Sequence, residues 1–240
     1  MEQNNSEKLS IEYTELNDWW GLWNSEKETI LEYCSYSDNI LDIGCGAGRV
    51  CIGMHDLGYK NITAIDIDEN MISQAKLKTP SGYRINYLCG DITDIRLNTL
   101  FNVAIFSYNG IMSIIGSENR KKAFDNIYAH LEDGGKFIFT THLGISDSMS
   151  QYLPFWQERR YQYKLNNKEI DDEFFTLQVE DKGVPILQFF AYDTDILKDL
   201  NSSGFDLIHT FRRDDCFIEK DIITNNTNNC RFWICKKIKK

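Results

Sequence analysis

NILDIGCGAGRV, Asn39–Val50, decides how this chain is read. Ile40, Leu41 and Ile43 flank Asp42, and glycines then recur as G-x-G-x-G at Gly44, Gly46 and Gly48. The apolar run predicts a buried strand over Asn39–Ile43, and the residues from Gly48 to Leu57 predict a helix. A glycine-rich turn between them lets backbone N–H groups approach a ligand closely, and a helix N-terminus favours negative charge. A second feature strengthens the reading. Asp66 ends the next predicted strand, Asn61–Ile67, about one βαβ step beyond Gly44, where a carboxylate can accept both hydroxyls of a ribose. The turn is therefore expected to hold a nucleotide-like cofactor.

Working outward, the strand–helix alternation continues. Glu69–Leu77 is predicted as a helix capped by Asp68, Ile85–Cys89 and Phe101–Ser107 as strands, and Asn119–Leu131 as a helix. The turn Glu132-Asp133-Gly134-Gly135 then leads into a strand at Lys136–Thr140. Such alternation predicts a parallel sheet. From Ile145 to Tyr192 the rhythm breaks. Phe155–Leu165, Glu173–Glu180 and Ile186–Tyr192 read as aromatic-rich strands of an antiparallel β cap inserted over residues 145–192. A helix at Thr194–Ser202 ended by Gly204, a strand at Phe205–Phe211 and a last strand at Arg231–Lys236 restore the α/β pattern. Before the first strand, residues 1–38 read as a helical lid carrying Trp19, Trp20 and Trp23.

Composition narrows the function. A chain of 240 residues with 42% hydrophobic residues fits one α/β domain with an elaboration. The formal charge of -10 opposes broad attraction to phosphate backbones, so no nucleic acid partner is expected. The N-terminus lacks a basic segment followed by an apolar one, and no apolar run is long enough to span a bilayer. A cytoplasmic protein without membrane association is expected. The seven cysteines show no C-x-x-C spacing, which predicts reduced thiols, and no cluster of His, Cys and carboxylates suggests a metal.

A nicotinamide enzyme usually carries G-x-G-x-x-G, but Arg49 and Val50 follow Gly48 here. Asp42–Gly48 instead resembles the first motif, D-x-G-x-G-x-G, of the class I S-adenosylmethionine-dependent methyltransferases. Thr63–Ala75, TAIDIDENMISQA, resembles that family's second-strand motif, and Cys89-Gly90-Asp91-Ile92 resembles its third. Phe101–Gly110 resembles the fourth, and His130–Phe139 the turn into the fifth strand. The resemblance implies a Rossmann-like seven-stranded methyltransferase sheet of order 3-2-1-4-5-7-6, with the last strand antiparallel. It implies S-adenosyl-L-methionine as cofactor, held by the first-motif residues Asp42, Gly44, Cys45, Gly46 and Gly48. Asp66 would take the ribose and Ile67 pack on adenine, while Asp91 would accept from the adenine amino group with Ile92 meeting the ring. Ser107 of the fourth motif belongs to the same cradle. Tyr13, in the segment that folds over the cofactor in similar enzymes, would touch the methionine end. Arg49 either reaches the cofactor carboxylate or caps the helix region.

Methyl transfer from a sulfonium is a direct displacement, so the protein must align an acceptor atom with the S–CH3 bond and exclude water. Tyr108 and Asn109 follow the fourth strand and should face the methyl group. His142 follows the fifth strand in Thr140-Thr141-His142 and is the best placed base, unless it merely caps a backbone carbonyl. Trp19 and Trp20 are adjacent and cannot share one helical face, so at least one is packing. The rings of the insertion either line an aromatic acceptor pocket or pack on the sheet or on a second copy of the chain, as in a homodimer. Three functions stay open: transfer to N or O of a small molecule, transfer to protein or RNA, and cofactor binding without turnover. The compact acidic chain and aromatic insertion favour the first. Ser107-Tyr108-Asn109-Gly110 also differs from the Asn/Asp-Pro-Pro-Tyr motif of amide and adenine-amino modifiers.

Overall fold

The computed structural model of the chain describes residues 20–145, 149–181 and 184–239. In chain order the first half gives α1 (Asn24–Tyr33), β1 (Ile40–Ile43), α2 (Arg49–Asp56), β2 (Ile62–Asp66), α3 (Glu69–Lys78) and β3 (Ile85–Cys89). Then come β4 (Phe101–Phe106), α4 (Ser117–His130) and β5 (Leu131–His142). The insertion contributes α5 (Met149–Leu165), the single turn α6 (Asp172–Phe175), β6 (Thr176–Asp181) and β7 (Val184–Phe189). The chain closes with α7 (Asp193–Ser203), β8 (Phe205–Arg212) and β9 (Cys230–Lys237).

Among the described residues, seven strands form one sheet in the order β3-β2-β1-β4-β5-β9-β8. Leaving out the inserted hairpin, this is the expected 3-2-1-4-5-7-6 arrangement. β1 pairs in parallel with β2 and β4, and β9 runs antiparallel between β5 and β8. Every residue of β1 is buried, as a central strand covered on both faces requires. Apolar clusters lie on the two sides of the sheet. One gathers Trp20, Trp23, Met54 and Phe232, the other Phe106, Phe124, Phe137 and Trp233. Local signals act as the sequence suggests. Asp68 accepts from Asn70 N at 2.8 Å to cap α3, and Gly204 ends α7 at φ 94°. At the start of β5, pairing with β4 jumps from Phe101–Leu131 to Val103–Lys136, so Glu132–Gly135 bulge out as the expected turn.

The insertion differs from expectation. Phe155–Leu165, predicted as a strand, lies inside helix α5, and the β cap reduces to the antiparallel hairpin β6–β7. Trp156 and Tyr163 stand seven residues apart, two helical turns, and both are buried with Phe174 in a small aromatic cluster. Tyr161, which alternation would place beside Tyr163, is 57% exposed. The start of the predicted strand Glu173–Glu180 is also helical, because the Asp171 side chain accepts from Phe174 N and caps α6. Of the predicted lid, α1 falls among the described residues, whereas Tyr13 and Trp19 lie outside them. All seven cysteines carry free thiols, and no described helix is long and apolar enough to cross a membrane.

The junction of β1 and α2 is tied by Asp42, whose Oδ2 accepts from Cys51 N at 3.1 Å in the first turn of α2. Burial pushes this carboxyl up to about 7, against the pull of that N–H bond and of Arg49. Gly48 sits at φ 91°, and a Cβ there would stand 3.0 Å from the Tyr87 hydroxyl and 3.3 Å from Ala75 Cβ. This glycine brings α2 against the sheet. Gly48→Ala should cost about 1–3 kcal/mol through left-handed strain and overpacking, read as a lowered urea midpoint. Asp42→Asn tests the buried carboxyl. A raised folded-state value means the native protein binds more protons than the unfolded chain between about pH 4 and 7, so this group's contribution falls as pH rises through that window. The Asn variant should therefore gain stability relative to wild type from pH 4 to 7, by up to about 4 kcal/mol, and hold that difference above pH 7. A pH-independent difference in denaturation midpoint would refute the assignment.

Candidate functional site

A cavity of about 540 Å³ opens where β1, β2, β3 and β4 end, at the carboxyl edge of the parallel strands. It lies on both sides of the point where the order reverses between β1 and β4, the usual ligand crevice of an open α/β sheet. One end is walled by Gly44–Ala47, Asp66, Ile67, Asp91 and Ile92. The other is walled by Ser107, Tyr108 and Gly110, with Ile186 and Gln188 reaching over from the inserted hairpin.

The glycines serve different ends. Gly44, Gly46 and Gly48 all have positive φ, so the turn is left-handed at each of them. Nothing lies within 4 Å of where a Cβ on Gly46 would stand, so its bare backbone borders open space. A Cβ on Gly44 would stand 2.7 Å from Phe106 Cε2, and one on Gly110 would overlap the same carbon. Thus one ring gauges both the cofactor turn and the loop after β4.

Asp66 Oδ2 accepts from Gly46 N at 2.8 Å, and Oδ1 accepts from Asp68 N at 2.9 Å. Burial raises this carboxyl above its ordinary value, with both N–H bonds working against the rise. Asp91 Oδ1 accepts from Thr93 N at 2.8 Å, turning the chain away after β3. Ile67 is 69% exposed, an apolar side chain left bare on the crevice wall, whereas Ile92 is buried. Cys45 also lines the wall, and burial pushes its thiol far up, so it is no nucleophile.

Arg49 faces the crevice but is held. Its Nη2 donates to Glu26 Oε1 at 2.7 Å and its Nη1 to Gly21 O at 2.9 Å. Glu26 is 4% exposed and also receives the Ser107 hydroxyl and, at 3.0 Å, Trp23 N. Burial alone would raise Glu26, but Arg49 and these donors outweigh it and hold the carboxyl below its ordinary value. The Trp23 ring has two guanidiniums over it, Arg49 at 5.1 Å and Arg213 at 5.2 Å from its centroid. Both tryptophans belong to the core, Trp20 also lines the crevice, and both rings meet Tyr108, at 5.8 and 5.7 Å. From the far end of the chain, Glu219 accepts from Asn24 N at 2.7 Å and Ser25 N at 2.9 Å. The helix expected to cover the cofactor is thereby fastened at its N-terminus.

Tyr108 and Asn109 both take left-handed backbone conformations, φ 52° and 58°, which turn the chain sharply after β4. Asn109 N donates to Thr140 Oγ1 at 2.8 Å. Tyr108 lines the crevice, whereas Asn109 and His142 are not among its lining residues. His142 Nδ1 is 3.3 Å from Asn109 Nδ2, its Nε2 is 2.7 Å from Gln188 Oε1, and its ring stacks on Phe190 at 4.9 Å. Sequence reasoning missed Glu26 and Gln188. Glu26 carries a usable signal, the N3 position of a helix whose first turn begins after Trp23. Gln188 meets His142 across 46 residues, and no local pattern encodes that contact.

Comparison with known proteins agrees with this geometry. Residues 40–135 match the model of a family described as a methyltransferase domain. A ubiquinone biosynthesis O-methyltransferase of Rickettsia canadensis is 31% identical over 103 residues, 42% of this chain and 42% of that protein. A malonyl-[acyl-carrier protein] O-methyltransferase of Ilyobacter polytropus is 27% identical over 154 residues, 61% of this chain and 58% of that protein. The matched stretch thus spans about half the length of these curated relatives. In structure, an S-adenosylmethionine-dependent methyltransferase of Methanosarcina mazei superposes with a TM-score of 0.68 at 17% identity, covering 92% of this chain and all of that one. Residues 40–135 thus match a methyltransferase domain, and they lie in a sheet of the order that the resemblance to the class I S-adenosylmethionine-dependent methyltransferases implies.

Proposed function

We propose that the protein binds S-adenosyl-L-methionine in the crevice between the glycine turn and Ser107 and transfers its methyl group to N or O of a small molecule. One observation carries this reading: the bare Gly46 backbone and the Asp66 and Asp91 carboxylates border the same cavity that continues past Tyr108 toward the inserted hairpin. The residues fit the cofactor. Asp66, already fixed by two backbone donors, presents a half-buried carboxylate to ribose hydroxyls, and exposed Ile67 offers an apolar face for adenine. Asp91 and the chain at Ile92 border the far end of that face. Bound there, S-adenosyl-L-methionine supplies an electrophilic methyl on a sulfonium.

The chain's own contribution is placement. Trp20 and Tyr108 shield the middle of the crevice from water, and Glu26 holds Arg49 and Ser107 at its edge. Ser113, Ile114, Ile115 and Asn119 also line the crevice and add a mixed apolar and polar surface without formal charge. That lining suits a small, largely uncharged acceptor. The relatives named above as O-methyltransferases support the same reaction class. A glycopeptide N-methyltransferase solved with S-adenosyl-L-methionine, TM-score 0.63 at 16% identity over 89% of this chain, has the same fold.

Incubation with methyl-labelled S-adenosyl-L-methionine and a cell extract, followed by size fractionation, tests the reading. Label in the small-molecule fraction is expected. Label confined to protein or RNA would replace the acceptor class, and cofactor binding without any transfer would leave a binding module. Asp66→Ala should weaken S-adenosylhomocysteine binding at least several-fold in calorimetry, through loss of charge-assisted hydrogen bonds. Unchanged affinity would remove Asp66 from the site.

A further inference from the structure

We infer that Gln188 is the residue of the inserted hairpin that meets the methyl acceptor, and that His142 acts through it as a positioning residue, its Nε2–H holding the Gln188 carboxamide so that the NH2 group serves the crevice. The inference rests on the methyl-transfer reading above and adds what recognises the acceptor.

β7 alternates in the way that makes Gln188 available. Ile186 and Gln188 share a face and line the crevice, whereas Leu187 points the other way and is 51% exposed. The hairpin is held firmly on both sides of that residue. Phe189 is buried in the core, with the Arg120 guanidinium 3.5 Å above its ring, and Arg120 in turn bonds Asp172 at 2.9 Å. Phe190 N donates to Phe175 O at 2.8 Å, and Ile145 N donates to Ala191 O at 3.1 Å. A side chain at position 188 therefore has a fixed root.

Its tip is fixed by His142. Gln188 Oε1 accepts from Nε2 at 2.7 Å, which puts the ring proton on Nε2 and leaves Nδ1 as the acceptor facing Asn109 Nδ2. The ring cannot swing, because it stacks on Phe190 at an interplanar angle of 16°. With its oxygen occupied, the Gln188 carboxamide offers the crevice two N–H donors. They suit an acceptor molecule that carries an oxygen or an unprotonated nitrogen beside the atom to be methylated. His142 has Asn109 and Gln188 on its two nitrogens and is not among the residues lining the crevice, so it orients the donor and does not take the proton itself.

Two variants and two readouts test this. In protein labelled with 15N-histidine, which has four histidines to assign, wild-type His142 should show the Nε2–H tautomer by two-bond 1H–15N correlation. Gln188→Leu should convert that pattern to a tautomer mixture, and Gln188→Glu should keep Nε2 protonated. An Nδ1–H tautomer in the wild type, or an unchanged pattern in Gln188→Leu, would overturn the pairing. The second readout is methyl transfer to a panel of phenols, hydroxybenzoates, aliphatic alcohols and amines. Gln188→Glu keeps the contact with His142 but loses the donor, so KM for oxygen-bearing acceptors should rise at least tenfold while S-adenosylhomocysteine affinity is unchanged. Equal KM values across the panel in both proteins would overturn the recognition role. Failure to bind S-adenosylhomocysteine at all would instead count against the methyl-transfer reading, which the tautomer measurement does not need.

Discussion

The carboxylate of Asp66 is the interaction on which the site depends. It closes a ring between two parallel strands by taking Gly46 N from the turn after β1 and Asp68 N from the turn before α3. The glycine turn is left-handed at three positions; Cys45 N and Gly48 N find backbone carbonyls, at Ile65 O and Cys45 O, and the Asp66 carboxylate supplies the acceptor for Gly46 N. Burial raises the proton affinity of that acceptor, and its backbone donors work against the rise. Asp42 performs the matching task one strand away by fastening the first turn of α2.

A second set of carboxylates brings remote chain to the same place. Glu26 gathers Arg49, Ser107 and Trp23, and Glu219 takes the first N–H groups of α1. Here a buried ion pair is satisfied on almost every side, which is the condition under which such pairs specify geometry and do not merely lower stability. The result is a helix that arrives at the crevice with Trp20 and Trp23 already set against Tyr108.

Much of this was legible in the sequence, and the limits have physical causes. Gly44, Gly46, Gly48, Asp66 and Asp68 act within a few residues of each other or across one βαβ unit, so their spacing encodes their geometry. The strand order followed from the same alternation together with the family resemblance. Phe155–Leu165 misled because Tyr161 and Tyr163 mimic period-two alternation, while the partners that bury Trp156 and Tyr163 lie more than ten residues downstream at Phe174. Likewise His142 was legible as a strand-end imidazole, but its contact with Gln188 depends on a hairpin whose meeting with β5 no local pattern records. Arg49 was legible as a residue beside the turn, and its commitment to Glu26 was not.

Phe106 stands between two glycine-bearing loops. The turn after β1 and the loop after β4 both pack their bare glycines on the same edge of it, so the spacing of these two parts of the crevice depends on where that ring sits. Donor and acceptor halves of the site would then shift together when that ring moves, and drift in sequence at Gly44, Phe106 and Gly110 should be correlated across the chain's relatives.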